Sequence, residues 1–385
     1  MKKKTLWIGL LAIWMTIGCN RHSMSDSASL YVDSISVADS LLVLEPPMRK
    51  GAFSYDSIID DIFYLPLSTN DTILISTISD IKIWKDIIFI ADYKLGNIFS
   101  FDAKGNIIGR IDAIGEGPEQ YKRLCGFDIN RKNGLLYLLD GDLGKVHVYD
   151  ASLHFCKIIQ LPISCVDHLA LYDDNKFFLE RGFREYDDKE DKTPNLILYN
   201  FKTNQVEGSY FYFKNSSDIF YRNQGPVAFS YSHNKLYYWP ILASSVYSCT
   251  DSGINKIVDV NMGEYETPSY VMNERVSNAM SVMKKHNYSY IDRFYEFKDW
   301  IYLRISRINV SAHYFYNKQK QKGYIDLSFI NSSNKKKMIA PDLFFVSERL
   351  CCGYISPELY VSFPGNDETV DIENNPILVF YKLKR

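Results

Sequence analysis

The chain has 385 residues, 46% of them hydrophobic and 15% aromatic, enough to bury one large core or two moderate ones and too apolar for a disordered polypeptide. A formal net charge of -2 supplies no global field for nucleic acid or an anionic surface, which argues against a nucleic-acid partner. The 29 Tyr and 23 Phe suit pleated strands, where flat side chains fill the space between sheets, so the composition leans all-β.

At the N-terminus Lys2, Lys3 and Lys4 precede the apolar run Leu6 to Ile17 and then Gly18-Cys19. Basic, apolar, small is the order of a secretory signal, here residues 1–19, and the apolar run is shorter than the roughly 20 residues that span a bilayer. Cys directly after a small residue resembles the lipobox of bacterial lipoproteins, with Thr16 where Leu is usual. The resemblance implies that Cys19 becomes the lipidated first residue and that the protein meets the membrane through this lipid. A plain secretory peptide and an uncleaved anchor are the alternatives. Residues 20–50 read as tether and lead-in, with Asn20 to Asp39 rich in Ser and Asp and hence solvated. Ile62 to Leu67 follows as a strand with no partner nearby in sequence.

Ile87 to Asp102 (IIFIADYKLGNIFSFD), shifted by 48 residues, lands without a gap on Leu135 to Asp150 (LLYLLDGDLGKVHVYD), pairing Asp92 with Asp140, Gly96 with Gly144 and Asp102 with Asp150. Each copy is two apolar strands around a turn carrying Asp and Gly, a hairpin signature. A strand repeat of this period indicates a propeller blade. The first blade starts near Ile78 and the second repeats it, with Asn133-Gly134 as a hairpin turn. Later copies place second strands near residues 176, 236, 300 and 359, which makes six blades. The last copy runs out at ILVFYKLKR without a fourth strand, and Ile62 to Leu67 fills the vacancy as outermost strand beside Leu359 to Phe363 and Ile377 to Tyr381. An open ring would leave bare strand edges at the seam. The expected fold is therefore all-β, a six-bladed β-propeller of four-stranded antiparallel blades over residues 51–385, closed by an N-terminal strand.

Two insertions interrupt the strands. Arg181 to Pro194 is densely charged and predicts an exposed loop. Residues 267–287 predict a helix of about four turns, with Pro268 at its first position and Val271, Val276, Ala279, Met280 and Met283 on one apolar face. Six cysteines lie beyond Cys19. Buried thiols on strands are the simplest reading, Cys156 with Cys165 is the favoured pair if a disulfide forms, and adjacent Cys351 and Cys352 point to opposite faces of a strand.

The loop Gly115 to Tyr121 (GEGPEQY), the Asp-containing hairpins, the lipobox and the closing NNPILVFYKLK at Asn374 to Lys384 together resemble the six-bladed β-propeller lipoproteins of Bacteroides and relatives, which are similar to NHL-repeat and TolB-like propellers. Gln120 stands where the family usually has an acidic residue, and blades three to five lack the clean Asp-turn-Gly pattern. The resemblance implies a lipid-anchored envelope protein. Asn20 to Ser23 lacks the acidic cluster associated with surface export in this group, which favours the periplasmic side. No catalytic set is general to that family, so none carries over.

Walker, HExxH, GxSxG and EF-hand patterns are missing from the sequence, and Gly115-Glu116-Gly117 has no following phosphate-binding helix. Asp92 and Asp140 occupy equivalent turn positions, and a ring of such carboxylates would suit a metal. The corresponding residues in the next blades are Glu180, Trp239 and Arg304, so turn-making is the better reading, and no metal or cofactor is expected. The seven His show no ligand spacing. On the funnel face the candidate ligand-binding residues are Glu119, Tyr121, Arg181, Arg184, Trp239 and Arg304: Arg pairs with carboxylates, while Tyr and Trp stack on sugar or peptide faces. A merely solvated rim is the competing reading of the same residues. The expected function is an envelope-anchored module binding a glycan- or peptide-derived ligand or a protein partner. The alternative is an NHL-like lyase or hydrolase using the central funnel, with catalytic residues unassigned.

Replacing Cys19 by Ala should release the protein from membranes or leave an unprocessed precursor, read by membrane fractionation and intact mass. Unchanged processing with full membrane retention would overturn the lipid anchor.

Overall fold

The two repeat copies fold as two antiparallel sheets, Asp80–Trp84, Ile87–Asp92, Asn97–Asp102, Ile107–Asp112 and Leu124–Ile129, Leu136–Asp140, Lys145–Tyr149, Phe155–Gln160. The computed structural model describes residues 35–48, 55–70, 73–181, 192–214, 227–273, 276–307, 310–326, 340, 342–362, 370–371 and 373–385. Blade three is His168–Leu171, Lys176–Glu180, Lys192–Asn200 and Gln205–Lys214; blade four is Phe229–Ser232, Lys235–Tyr238, Ser245–Thr250 and Gly253–Val260. Blade five is Tyr290–Glu296, Trp300–Arg307, Val310–Asn317 and Lys322–Asp326. Blade six takes Leu343–Ser347, Leu350–Ile355 and Ile377–Leu383 from the C-terminus and Ile59–Pro66 from far upstream. The fold is the expected six-bladed propeller.

The apolar runs are continuous because each blade is covered on both faces. Along Ile87–Asp92 the side chains alternate: Ile88 and Ile90 pack with Phe344, Cys352 and Leu378 of blade six, while Phe89 and Ala91 pack with Phe127, Leu136 and Leu138 of blade two. The repeated turns use repeated chemistry. Asp102 accepts the amides of Lys104 and Asn106 at 2.8 Å, and Asp150 those of Ser152 and His154 at 2.9 Å, the local bonds that make Asp a turn residue. Gly144 sits at φ +59, and a Cβ there would lie 2.3 Å from the Ile163 carbonyl oxygen, so only Gly fits.

Closure is made as expected. Ile59–Pro66 runs antiparallel to Ile377–Leu383, with Ile62 opposite Tyr381 and Pro66 opposite Ile377. Pro66 is tolerated because the strand is outermost and its far edge is unpaired. Asn375, buried in the closing motif, locks the seam. Its amide donates to the Ser68 and Ile73 carbonyls, its oxygen accepts the Ile75 amide, and its own N–H donates to the Thr69 hydroxyl.

Five expectations are corrected. The second strand of blade six is Leu350–Ile355, and Leu359 falls instead in the short helix Pro357–Val361; Ser356 accepts the Leu359 amide as N-cap and Pro357 opens the helix, a local signal stronger than the β propensity of Tyr and Val. The tether ends earlier than residue 50, because Ile35–Leu44 is a fifth strand of blade four, parallel to Gly253–Val260. The helix is shorter, Val276–His286 after a 3-10 turn at Ser269–Asn273; Val271, Ala279 and Met283 are buried but Met280 is 40% exposed. No disulfide joins Cys156, in the strand Phe155–Gln160, to Cys165, in the connection that follows it. The charged insertion is not a loop throughout: Arg181 is buried, and Lys192–Asn200 is a strand with Thr193 buried. The two adjacent cysteines do face opposite ways, Cys351 into the core between blades five and six and Cys352 into that between six and one.

Deleting Asp61–Leu67 should abolish one cooperative thermal transition for the whole ring, whereas deleting Ile35–Leu44, an added edge strand, should lower its midpoint by only a few degrees. Circular dichroism melts of both truncations check this; equal midpoints for the Asp61–Leu67 deletion and the intact chain would place the seam elsewhere.

Candidate functional site at the mouth of the channel

Strand order sorts the connections onto two faces. Turns between first and second and between third and fourth strands are tight, the longest being 130–135. Connections on the opposite face, between second and third strands and between blades, extend to 113–123, 181–191, 215–228, 261–289, 327–342 and 356–376. The second strands end at this long-loop face, and there Asp92, Asp140 and Glu180 are fully buried. Asp92 accepts the Ser76 amide at 2.7 Å, Thr77 at 3.0 Å, and Lys94 and Leu95 at 3.1 Å. Asp140 accepts Lys122 at 2.7 Å and Leu143 at 3.2 Å. Each carboxylate therefore fastens its own turn to the segment arriving from the preceding blade, and the turn-making reading holds.

Glu180 does something else with its extra methylene. One oxygen lies 2.7 Å from His168 Nδ1 and the other accepts the Tyr238 hydroxyl at 3.1 Å, while Tyr238 also accepts from the Asn195 amide at 3.0 Å. This joins blades three and four at the mouth. No hydrogen bond from His168 Nε2 is made among the described residues. Between blades five and six, Arg304 pairs with both Asp292 and Asp342, Arg293 reaches Asp342 at 3.2 Å and lies over the Phe344 ring at 4.7 Å, and Ser306 donates to Asp292 at 2.9 Å.

Below the mouth the channel narrows to a cavity of about 80 Å³ lined by Asp80, Lys82, Arg131, Ser230, Tyr295 and Phe344 among others. Lys82 lies 3.2 Å from Asp80 and 3.7 Å from Asp128. Burial works against its charge, but the two carboxylates outweigh burial and hold the ammonium above its usual range. Among the described residues no three His, Cys, Asp or Glu converge as metal ligands, and no helix is long and apolar enough to cross a membrane.

The sequence profile of a domain of unknown function, DUF4934, matches residues 42–382. The chain belongs to the DUF4934 family. Among solved structures, the DUF4934 propeller is similar to a protein of Bacteroides fragilis described as exported, at 17% identity and TM-score 0.72, covering 90% of this chain and 100% of that one. It is also similar to a DUF4221-family member from Bacteroides vulgatus, at 12% identity and TM-score 0.55, covering 85% and 97%. At these identities the likeness establishes the fold. No functionally curated protein matches the sequence.

The five described candidate residues of this DUF4934 protein belong to the long-loop face by topology, but they do different jobs. Tyr121 is fully buried, donates its hydroxyl to the Gly96 carbonyl at 2.6 Å and meets His147 edge-on, so it staples blade one to blade two. Trp239 is fully buried and donates Nε1 to the Asp292 carbonyl at 3.1 Å. Arg304 is not a free surface charge: removing it would leave Asp292 and Asp342 short of a partner in a largely dry site, the costly way to break an ion pair. Arg181 is buried, Glu119 is exposed on the first interblade loop, and Arg184 lies outside the described residues. None of the five described lines the channel cavity. Residues that the sequence reading passed over are His168, as the partner of Glu180, and the set Asp292, Arg293, Asp342. Asp80 and Asp128 are 48 residues apart and become visible once the repeat window extends upstream; the others have no repeat partner to reveal them.

His313, buried beside Tyr302 at 2.9 Å, has its pKa pushed down to about 4, first by burial and then by the Arg304 charge. The unfolded chain takes up a proton near pH 6.5 that the native state refuses, so this contribution is intact above pH 6.5 and is lost as pH falls toward 4, by about 3 kcal/mol. Urea unfolding across that window should show the decline, and His313→Gln should flatten it; parallel slopes would show that His313 is not held neutral.

Proposed function

We propose that this protein is an exported, lipid-anchored envelope module that binds a glycan- or peptide-derived ligand on its long-loop face. One observation carries the reading: variable length is confined to that face, while the opposite face is closed by turns of at most six residues at 130–135. Rigid scaffolds that concentrate long loops on one face use them for recognition. The direction of the N-terminal strand supports the same orientation. Ile35–Leu44 is parallel to Gly253–Val260 with Ile35 opposite Ile254, so the chain enters blade four from the tight-turn face, the side opposite the mouth. The signal over residues 1–19 and the fold shared with an exported Bacteroides protein support export, and the periplasmic side is favoured by the missing acidic cluster after Cys19.

A second reading rests on the His168–Glu180 pair. A carboxylate fixing Nδ1 leaves Nε2 to exchange a proton with a substrate, and appearance of an altered product on prolonged incubation separates this enzyme from a binding protein.

Hydrogen exchange of the protein with acidic oligosaccharides and acidic peptides should show protection in 113–123, 181–191 and 356–376. Arg184→Ala should weaken binding about tenfold with an unchanged melting midpoint, as expected for one charge-assisted contact. Protection confined to the tight turns would overturn the assignment of the face.

A further inference from the structure

A cavity larger than the one on the axis is bounded by described residues. It lies at the rim between blades three and four, has a volume of about 660 Å³ and is walled by Ile35, Phe211, the turn 240–245, Tyr247 and residues 266–269. That volume falls within the range of small-molecule sites, about 300–1,000 Å³. Its composition is also that of such a site, with an aliphatic and aromatic wall and a few polar groups. Among the described lining residues the only charge is Glu266. One of its oxygens accepts the Ser244 hydroxyl at 2.7 Å, and the other makes no hydrogen bond among the described residues.

The wall is also strained. Phe211 has φ +56 and Leu242 φ +58, a region that bulky L-residues rarely enter and that costs of order 1–3 kcal/mol per residue. Both residues are buried and both face this cavity. Phe211 is held there by rings on two sides, Tyr247 edge-on at 5.0 Å and Tyr238 at 5.3 Å. Leu242 is held by Val271, Ala279 and Met283 of the helical insertion. The insertion thus braces one wall, and the N-terminal edge strand, through Ile35, supplies another.

We propose that this rim cavity is a binding site for a small cationic amphiphile: an apolar or aromatic body against Phe211, Tyr247, Ile241 and Leu242, with an ammonium or guanidinium group paired to the free oxygen of Glu266. An ammonium is matched by the single carboxylate. A carboxylate-bearing ligand of the same shape meets an unopposed negative charge. The site is separate from the channel mouth and does not depend on the function proposed there.

The test titrates 4-phenylbutylamine and 5-phenylpentanoate, which share one apolar body and differ in charge, into the full chain by calorimetry. The amine should bind saturably and the carboxylate should not. Glu266→Gln, which keeps the Ser244 contact, should weaken the amine about tenfold, the usual loss for one charge-assisted bond. Ala243→Trp should abolish binding by filling the cavity; if that variant fails to fold, Ser269→Trp on the exposed rim replaces it. Equal binding of the two probes, amine affinity indifferent to Glu266→Gln, or no saturable binding of the amine would each overturn the proposal.

Discussion

The whole structure depends on closing a ring of sheets. Each blade buries both faces against its neighbours, so a missing partner at the seam would expose an apolar face and a row of unpaired backbone groups together. The C-terminal copy supplies only three strands, and the remedy comes from Ile59–Pro66, some 300 residues upstream of its partner Ile377–Leu383. Asn375 then spends its side chain entirely on the segment leaving that strand. The same N-terminal region does more than close. Ile35–Leu44 edges blade four, the Tyr55 hydroxyl donates to Asp326 at the end of blade five, and Ile59–Pro66 completes blade six. Blades four to six are therefore tied together by one strap, while blades one and two are held by their own Asp and Gly turns.

A closed ring also explains why loop length is free on one face only. Tight turns at the far face keep strand pairs in register, and nothing in closure limits the connections that leave the second strands or pass between blades. Buried carboxylates at the bases of two of these connections, Asp92 and Asp140, fix the stems whatever the loop beyond them does. The same logic makes Glu180 informative. At the equivalent position it has given up stem-fastening for a bond to His168 and a contact with the next blade, so the mouth departs from structural regularity at blade three.

How far the sequence could be read follows from where its periodicity survives. Alternation and the 48-residue repeat located five of the six second strands, because local turn chemistry and burial on both faces act within a blade. Leu359 to Val361 was misplaced for a local reason too: Tyr and Val look like strand, but the Ser356-Pro357 cap decides. The site was less legible because its contacts cross blades. Nothing near Arg304 in sequence announces Asp342, and the sequence shows that Trp239 and Tyr121 are aromatic without showing that they point inward. A motif loop such as Gly115 to Tyr121 was easy to find and yet serves the fold, its Tyr spent on the Gly96 carbonyl.

These placements bear on where a ligand can go. A propeller axis is often treated as the default site, but here the inner strands bring Phe229, Tyr231, Tyr295, Phe344 and Phe345 around a cavity of about 80 Å³. The polar groups above it, Arg293, Arg304, Asp292 and Asp342, are already paired with one another. A ligand competing for those guanidiniums would have to displace internal carboxylates and repay their desolvation. Recognition is cheaper where a polar group is not committed, as at the rim between blades three and four, where one oxygen of Glu266 makes no hydrogen bond among the described residues. The channel is thus part of the scaffold, and the differences among blades are found at its edge.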